Sequence, residues 1–544
     1  MKKTLIAAAV IAAVISMSCS STKKLSAVQS KSETSLTDVV ETIHGKVRGV
    51  LTEDGKVAIY AGIPYAKPPV GELRWKEPQE ADDWEGILTK DTFAPIAMQK
   101  KQSGIVRFIF RNFIYHDSDG DREDYAPLSE DCLYLNIWTP SDAEPGKKYP
   151  VLVYIHGGSL MTGSSIYETH DGKFCAENGV IVVSIAYRLG VFGYFASEEL
   201  AAESPNGTTG NYGLLDQIKA LDWINKNIES FGGDRNNITI AGESAGSSSV
   251  NALCASPLSK GLFKRAIGES SGVAVESPVH TFRSMEDALS MGREIMAEFK
   301  CSSMEEMRKL SAEKLVKTKH DNNSMTVDGY ALPESVYEIY RSGKNHEEAL
   351  LNGFNSEEAY FFNFFTGFAK KKDYEKKVRD YFGKYADRVL ELYPAATNDE
   401  AKYNWNQISG AVMFAYSHHA WTTFVSAQGK PAYQYFFTMQ NKIAGANHTG
   451  EIIYAYGNLP ETKYYTEADH GLSKMMSQYW LNFIKTGNPN GENLPLWHTE
   501  SQSPGTVIEF GESVHERENP YKDLYPIIEA LMHDKAMEAQ GRQE

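Results

Sequence analysis

The stretch Gly242-Glu243-Ser244-Ala245-Gly246 has the pattern G-x-S-x-G, in which one serine lies between two glycines. Where this pattern joins a strand to a helix, the serine oxygen is exposed on a sharp turn and can attack a carbonyl carbon. The glycines are required because side chains at their positions would collide with neighbouring backbone. The pattern is short, and a chain of this length contains one by chance about one time in five. Ser244 is therefore a candidate nucleophile, and a plain tight turn is the alternative.

A glycine-containing loop upstream could stabilise the negative charge that such an attack creates. His156-Gly157-Gly158-Ser159 follows an apolar run at 151–155. Attack on a carbonyl places charge on its oxygen, which needs backbone N–H donors aimed in advance. Glycines let the backbone approach that closely, as in HGGG-type loops. An ordinary glycine turn is the alternative, but the two motifs rarely coincide in this order by chance.

The base and the acid that a nucleophilic serine requires are not selected by spacing alone. A base must take the serine proton, and a carboxylate must orient that base. The chain contains 14 histidines. His418 and His419 lie in an apparently helical segment and are interpreted as structural, and His156 is expected to shape the loop that follows it. The residues by themselves leave the base and the acid open.

Three short β-branched runs are typical of buried parallel strands: 151–155, 180–187 and 238–242. A helix is predicted between the last two by apolar residues at helical spacing: Leu214, Leu215, Ile218, Leu221, Ile224 and Ile228. This order predicts an α/β fold with a mostly parallel, doubly wound central sheet. Ligand sites in such sheets lie beyond the carboxyl ends of the strands, where both glycine motifs are found.

The composition is that of a globular protein and excludes some partners. Of 544 residues, 42% are hydrophobic, 11% aromatic and 23% charged, and the formal net charge is −16. No basic stripe could follow phosphates, so nucleic acid is excluded as a partner. The five cysteines are odd in number and widely spaced, which predicts neither a disulfide framework nor a metal site.

The chain begins with a segment typical of an export signal. Residues 1–19 contain two lysines, a short apolar run and then Cys19 after a small residue. This resembles a bacterial lipoprotein signal, in which Cys19 would be lipidated, although Ser16 stands where Leu, Val or Ala is usual. Ordinary cleavage and release into the periplasm or the medium is the alternative. Residues 20–38 are predicted to be a polar tether, 39–535 a single domain and 536–544 a polar tail.

Several ordered segments resemble the type-B carboxylesterase family, which includes the cholinesterases and bacterial esterases active on aryl esters. The resemblance covers about residues 40 to 510. It is carried by the segments at 60–75, 129–140, 156–159, 186–195, 210–234, 242–250 and 479–497. It implies an α/β-hydrolase fold with helical insertions over an active-site gorge.

The resemblance also implies the roles that spacing left open. The family's histidine corresponds to His448 in "GANHTGEIIYAYGNL". Its acid corresponds to Glu358 in "NGFNSEEAYFF", with the adjacent Glu357 as a rival. The oxyanion donors correspond to the N–H groups of Gly158, Ser159 and Ala245. Glu243 is expected to be a supporting buried acid that influences the histidine, or else a plain strand-end carboxylate.

The sequence departs from the family at four places. Ser159 replaces a third glycine, which could restrict the acyl group, and Ala359 replaces the glycine after the acid. Ala97 stands where many relatives have a cysteine, so Cys132 is expected to be unpaired. Cholinesterases have a cation-binding tryptophan between these two positions, whereas this chain has none at 98–131. Although Tyr115 and Tyr125 could partly replace it, a choline-specific pocket is disfavoured.

The function expected from these residues is hydrolysis of a small-molecule carboxylic ester through an acyl-enzyme, without metal or cofactor. Aryl or alkyl esters of small to medium acids are the expected substrates. A non-catalytic adhesion protein on the same fold, like the neuroligins, is disfavoured because serine, histidine, acid and glycine loop are all retained. Hydrolysis of amides or thioesters by the same residues stays open, and the sequence carries no signal for an oligomeric state. The aromatic segments 106–115 and 360–368 are interpreted as packing helices, with lining of the gorge as the alternative.

Overall fold

The structure is a computed structural model that describes residues 35–101, 126–275, 282–441 and 445–541. The predicted signal segment with Cys19, most of the tether, and Tyr115 and Tyr125 lie outside these ranges. Within them, no helix is both long and apolar enough to cross a bilayer.

A 13-stranded sheet forms the centre of the described part of the chain. The strands, in chain order, are β1 (Leu36–Thr42), β2 (Gly45–Leu51), β3 (Val57–Pro64), β4 (Ile87–Thr89), β5 (Ile96–Ala97), β6 (Leu128–Ser129), β7 (Tyr134–Pro140), β8 (Tyr149–Ile155), β9 (Ile181–Ile185), β10 (Gly233–Glu243), β11 (Arg265–Glu269), β12 (Phe282–Ser284), β13 (Met325–Val327), β14 (Ala349–Asn355), β15 (Ala432–Phe437), β16 (Thr506–Phe510) and β17 (Val514–Glu518). Thirteen of these strands form the main sheet, in the order β1-β2-β3-β7-β9-β8-β10-β11-β14-β15-β16-β17, with β4 beside β2. The other four form two separate two-stranded sheets, β5 with β6 and β12 with β13. Strands β9 to β16 along this path are parallel, and antiparallel pairs lie at both edges.

Helices cover both faces of the sheet and follow the carboxyl ends of its strands. The α-helices are Lys173–Glu177, Gly190–Tyr194, Glu198–Glu203, Tyr212–Asn227, Ala245–Ala255, Met285–Phe299, Met304–Arg308, Ala312–Leu315, Val336–Arg341, Tyr360–Thr366, Lys371–Phe382, Ala386–Leu392, Asn398–Gly410, Tyr416–Ala427, Ile452–Ala455, Glu467–Thr486 and Tyr525–Gly541. A π-helical turn, Ala411–Ala415, joins two of them. The insertions after β11 and β14 supply the helical segments at 285–341 and 360–427.

The strand and helix predictions around the glycine motifs are confirmed. The runs at 151–155, 180–187 and 238–242 lie in β8, β9 and β10, and the predicted helix spans Tyr212–Asn227. The strands are buried on both faces: Val153 of β8 packs in the core on one face and Leu152 in the core on the other. This two-sided burial explains why these strands are continuous apolar runs without alternation.

The ends of the chain differ in detail from the predicted boundaries. Strand β1 begins at Leu36, three residues before the predicted start of the domain at residue 39. The last helix continues to Gly541, into the segment expected to be a polar tail. Tyr525, Ile527 and Ile528 in its first turns pack in the core, and the helix continues past residue 535 from this anchored start.

Candidate active site

The site lies where the direction of the sheet connections reverses. After β8 the chain runs to β9 on one side, and after β10 it runs to β11 on the other side. Such a reversal leaves a crevice at the carboxyl ends of the two strands. Ile155 at the end of β8 pairs with Gly242 near the end of β10. The glycine loop and the serine turn therefore begin side by side.

The serine turn has the strained backbone that its glycines predict. Ser244 has φ 55° and ψ −127°, and the helix Ala245–Ala255 begins directly after it. A Cβ atom on Gly242 would come within 2.5 Å of the carbonyl carbon of Gly246, and one on Gly246 would collide with the carbonyl oxygen of Ile155. No side chain fits at either glycine, so strand, turn and helix pack as one unit. Backbone strain of this kind is concentrated at functional sites.

The glycine loop contains three successive residues with positive φ. Gly158, Ser159 and Leu160 have φ values of 105°, 56° and 57°. The N–H groups of Met161 and Thr162 donate to the carbonyl oxygen of Gly158 at 3.0 and 2.9 Å, which closes the turn. Ser159 therefore holds a backbone conformation that glycine would adopt without strain.

Neighbouring groups hold this loop against the serine turn. A Cβ atom on Gly157 would lie 3.0 Å from the Cβ atom of Ser244. His156 Nδ1 lies 2.9 Å from the carbonyl oxygen of Gly157 and donates to it. Burial lowers the pKa of His156 to about 4, so its ring is neutral. The expectation that His156 shapes the loop agrees with this contact.

Three backbone N–H groups at the crevice are available to an external acceptor. Among the described residues, none of the N–H groups of Gly158, Ser159 and Ala245 donates to a protein acceptor. The first N–H groups of a helix have no partner within that helix, which accounts for Ala245. Gly158 and Ser159 are only half-buried. Donors with this placement can bind an oxygen that gains negative charge.

A histidine links the serine to a buried carboxylate. His448 Nε2 lies 2.9 Å from Ser244 Oγ, and Nδ1 lies 2.6 Å from Glu358 Oε2. In a neutral imidazole only one nitrogen carries a proton. With the proton on Nδ1 donated to Glu358, Nε2 can accept the proton of the serine hydroxyl.

The two adjacent glutamates have different partners. Glu358 is 1% exposed, and its second oxygen accepts the N–H of Asn355 at 2.8 Å. Glu357 is half-buried and accepts from Asn406 Nδ2 at 2.7 Å instead. Ala359, where the family has glycine, has φ −86° and ψ −3°. This ordinary helical conformation needs no glycine, so the departure leaves the geometry of the acid intact.

Glu243 places a second carboxyl group against the imidazole. Its Oε1 lies 3.3 Å from His448 Nε2, on the side of the serine. Burial raises the pKa of Glu243 to about 8. Burial lowers the pKa of His448, but the charges of Glu243 and Glu358 outweigh burial and raise it to about 9. Because the two groups are in contact, they titrate as a pair, and Glu243 favours the protonated imidazole.

A third carboxyl group, which the sequence did not single out, lies behind the histidine. Glu451 is fully buried and accepts hydrogen bonds from Ser270 Oγ and Tyr435 OH, both at 3.1 Å, and from Asn355 Nδ2. Burial and the charge of Glu358 raise its pKa to about 7. Asn355 also donates to the carbonyl oxygen of Asn447 at 2.7 Å. The network therefore connects the segment of the acid to the loop of the histidine.

Two aromatic rings flank the imidazole. The Phe414 ring lies 4.7 Å from the His448 ring, and the Phe362 ring lies 5.7 Å from it. Phe414 comes from the π-helical turn Ala411–Ala415, a distortion that is often found at functional sites. Within the aromatic segment 360–368, Phe362 thus contacts the imidazole.

Cys132 agrees with its expected state. It is a buried free thiol beside β7, and burial raises its pKa.

Comparison with known proteins gives the relationship of the chain. The profile of the carboxylesterase family matches residues 36–525. Liver carboxylesterase 1 of Oryctolagus cuniculus is 34% identical over 514 residues, which cover 84% of this chain and 87% of that protein. The chain belongs to the carboxylesterase family. The chain is also 31% identical over 495 residues to the fumonisin B1 esterase of Sphingopyxis macrogoltabida. That match covers 88% of this chain and 87% of the esterase.

A solved structure extends the likeness to the fold. The crystal structure of the Geobacillus stearothermophilus carboxylesterase EST55 at pH 6.2 matches with a TM-score of 0.75 and 29% sequence identity. The match covers 91% of this carboxylesterase and 99% of that chain. The predicted α/β-hydrolase fold and the predicted ester hydrolase activity are both confirmed.

The contact between Glu243 and His448 predicts a shift in the pH dependence of hydrolysis. A histidine that accepts the serine proton must be neutral, so kcat/KM falls as pH drops below the pKa of such a base. Replacing Glu243 by Gln removes a charge that raises this pKa. The acid limb of kcat/KM should therefore move to lower pH by about one unit. Pre-steady-state or steady-state pH profiles measure this shift. The control is Glu500→Gln, which changes a half-buried glutamate beside the start of β15, and it should leave the acid limb in place. A limb that moves to higher pH in Glu243→Gln would contradict the assignment.

Proposed function

We propose that this carboxylesterase cleaves esters with Ser244 as nucleophile, His448 as general base and Glu358 as the acid that orients the base. The observation that carries the proposal is the position of one imidazole between the serine oxygen at 2.9 Å and the Glu358 carboxylate at 2.6 Å. The strained turn under Ser244 supports it, because that backbone presents the hydroxyl at the end of the sheet.

In the proposed mechanism, Ser244 Oγ attacks the ester carbonyl while His448 Nε2 takes its proton. Glu358 stabilises the imidazolium through Nδ1–H. His448 then protonates the leaving alcohol, and the acyl group stays bound to Ser244. Water repeats the sequence on the acyl-enzyme and releases the acid.

The oxyanion of each tetrahedral intermediate is proposed to bind the N–H groups of Gly158, Ser159 and Ala245. The lack of protein acceptors for these groups among the described residues supports this role. Gly157 supports the loop by its small size, since a side chain there would contact Ser244. Glu243 is proposed to adjust the basicity of His448 from 3.3 Å.

The proposed substrates are aryl or alkyl esters of small to medium acids. Phe362 and Phe414 place two apolar rings beside His448, which favours apolar substrate groups there. One relative, the fumonisin B1 esterase, is named for a particular ester, whereas the name of liver carboxylesterase 1 gives only the type of reaction. Loss of the third glycine at Ser159 supports a limited acyl size.

Replacement of the proposed nucleophile should abolish turnover without unfolding the protein. Ser244→Ala is expected to lower kcat on an activated aryl acetate by about 10⁵-fold, since serine and histidine act as one unit. Circular dichroism and thermal unfolding check that the fold is retained. The wild type should be labelled once by an organophosphonate probe, and the variant should not. Retained turnover or retained labelling in Ser244→Ala would overturn the assignment.

The neighbouring glutamates provide a matched pair for testing the acid. Glu358→Gln keeps the size but removes the charge that stabilises the imidazolium, and kcat should fall by about 10³ to 10⁴. Glu357→Gln changes the same group one residue earlier, where it contacts Asn406, and should lower kcat less than about tenfold. Steady-state rates of both variants decide which glutamate is the acid that orients the histidine. The reverse order of the two losses would show that the acid is Glu357.

We further propose that residues 1–19 are an export signal and that Cys19 is lipidated, which anchors the enzyme to a bacterial envelope membrane. The support is the sequence pattern alone, and release after ordinary cleavage is the competing outcome. In a bacterial host, the wild type should fractionate with membranes and Cys19→Ala should become extractable without detergent. A Cys19→Ala variant that still fractionates with membranes would contradict anchoring through lipidation of Cys19.

A further inference from the structure

A short helix after the proposed acid displays phenylalanine rings to solvent. The helix Tyr360–Thr366 begins two residues after Glu358. Phe361, Phe364 and Phe365 have the spacing i, i+3, i+4, which places them on one face of the helix. Phe364 is 59% exposed and Phe365 57% exposed, and no other phenylalanine in the described ranges is as exposed. Two adjacent exposed phenyl groups form an apolar surface that water solvates poorly.

The exposed rings continue inward to the catalytic histidine by ring contacts. Centroids are 5.4 Å apart for Phe364 and Phe365, and 4.9 Å apart for Phe365 and Phe361. Phe361 lies 6.3 Å from Phe362, which in turn lies 5.7 Å from the His448 ring. We name these four phenylalanines the aromatic ladder. Through these ring contacts it connects the protein surface to the ring of His448.

The other side of the helix is held in place, so the aromatic ladder is preformed. Asn363 Nδ2 donates to Asn406 Oδ1 at 3.2 Å. Tyr360 packs on Phe368 with ring centroids 5.0 Å apart, and Lys402 Nζ lies 5.0 and 4.4 Å from these two rings. These contacts anchor the helix to the segment Asn398–Gly410. A surface that needs no ordering on binding retains more of the free energy of each contact.

We propose that the aromatic ladder binds the apolar tail of the alcohol part of the ester, so that the enzyme favours esters of long-chain alcohols. This assignment rests on the proposed function, because His448 must protonate the leaving alcohol and therefore lies next to its oxygen. The tail attached to that oxygen then leaves the reacting centre past the ring of Phe362. Longer tails extend over Phe361 and reach Phe365 and Phe364.

The expected discrimination follows from apolar burial. Full burial of one methylene strengthens binding about fourfold, and contact on one side of a surface gives about half of that free energy, or about twofold per methylene. The gain should appear in KM, because contacts far from the reacting bond act alike on the ground state and the transition state. It should be seen for alkyl tails on the alcohol side of the ester.

The test compares ethyl acetate, dodecyl acetate and ethyl dodecanoate as substrates of the full-length enzyme, below the concentrations at which they aggregate. A dodecyl tail is long enough to pass Phe361 and contact Phe365. In Phe364→Ser/Phe365→Ser, the ratio of kcat/KM for dodecyl acetate to that for ethyl acetate should fall about tenfold, through KM. The ratio for ethyl dodecanoate to ethyl acetate should fall less than about twofold.

Leu496→Ser is the matched control, since Leu496 is 60% exposed. The loop that contains Leu496 is held by Asn482, which donates to the carbonyl oxygen of Pro489. Asn482 lies in the helix Glu467–Thr486, and the carbonyl oxygen of Ile484 in that helix accepts from Arg265 at the start of β11. This control site therefore lies at the opposite edge of the sheet from Ser244. Both substrate ratios should match the wild type in this variant.

Three results would overturn the proposal. One is an unchanged dodecyl-to-ethyl ratio in the double variant, and another is a loss confined to ethyl dodecanoate, which would place the acyl chain on the aromatic ladder. The third is an equal loss for all three esters, which would indicate a general structural role. Failure of the proposed function looks different, because the wild type would then hydrolyse none of these esters or Ser244→Ala would hydrolyse them normally.

Discussion

The close approach of two backbones at the ends of β8 and β10 is the constraint on which the site depends. There is no room for a side chain on Gly246 beside the carbonyl oxygen of Ile155, or on Gly157 beside Ser244. The two glycines let the helix after the serine and the loop after β8 pack directly against each other. The same contact places the N–H groups of Gly158 and Ala245, which have no acceptor among the described residues, around one crevice. One packing interaction thus sets the positions of Ser244 and of these N–H groups.

The electrostatics of the site follow from burying one imidazole among several carboxyl groups. Glu358, Glu243 and Glu451 act on His448, whose ring also contacts those of Phe362 and Phe414. Burial disfavours the charge of each group, while the carboxylates favour the charge of the histidine. The result is that the pKa of His448 is raised and that those of Glu243 and Glu451 are raised as well. The site can therefore accept a proton on the histidine without creating an isolated buried charge.

The departures from the family pattern occur where the backbone tolerates them. Ala359 replaces a glycine at an ordinary helical conformation and meets no strain. Ser159 replaces a glycine at φ 56°, where a side chain costs about 1 to 2 kcal/mol, and the hydrogen bonds that close the loop hold it there. Cys132, without its usual partner, is a free thiol buried in the hydrophobic core. Local conformation decides which substitutions the site can absorb.

What the sequence determined alone was local in the chain: the apolar runs of β8, β9 and β10, the helix after β9, and the two glycine motifs. Periodicity and the size of glycine act over a few residues, so they can be interpreted without the fold.

Which carboxylate and which histidine lie next to Ser244 was not decided in this way, and Glu358 and His448 were predicted by resemblance. His448 lies 204 residues from the serine and 90 from the acid. The roles of Asn355 and Glu451 were missed altogether, because their partners are distant in the chain. Asn355 donates to Asn447 and Glu451, and Glu451 also accepts from Ser270, just after β11, and from Tyr435 of β15. Only the parallel order of the strands brings these residues to one edge of the sheet. Burial at that edge sets their protonation states, which their order in the chain does not reveal.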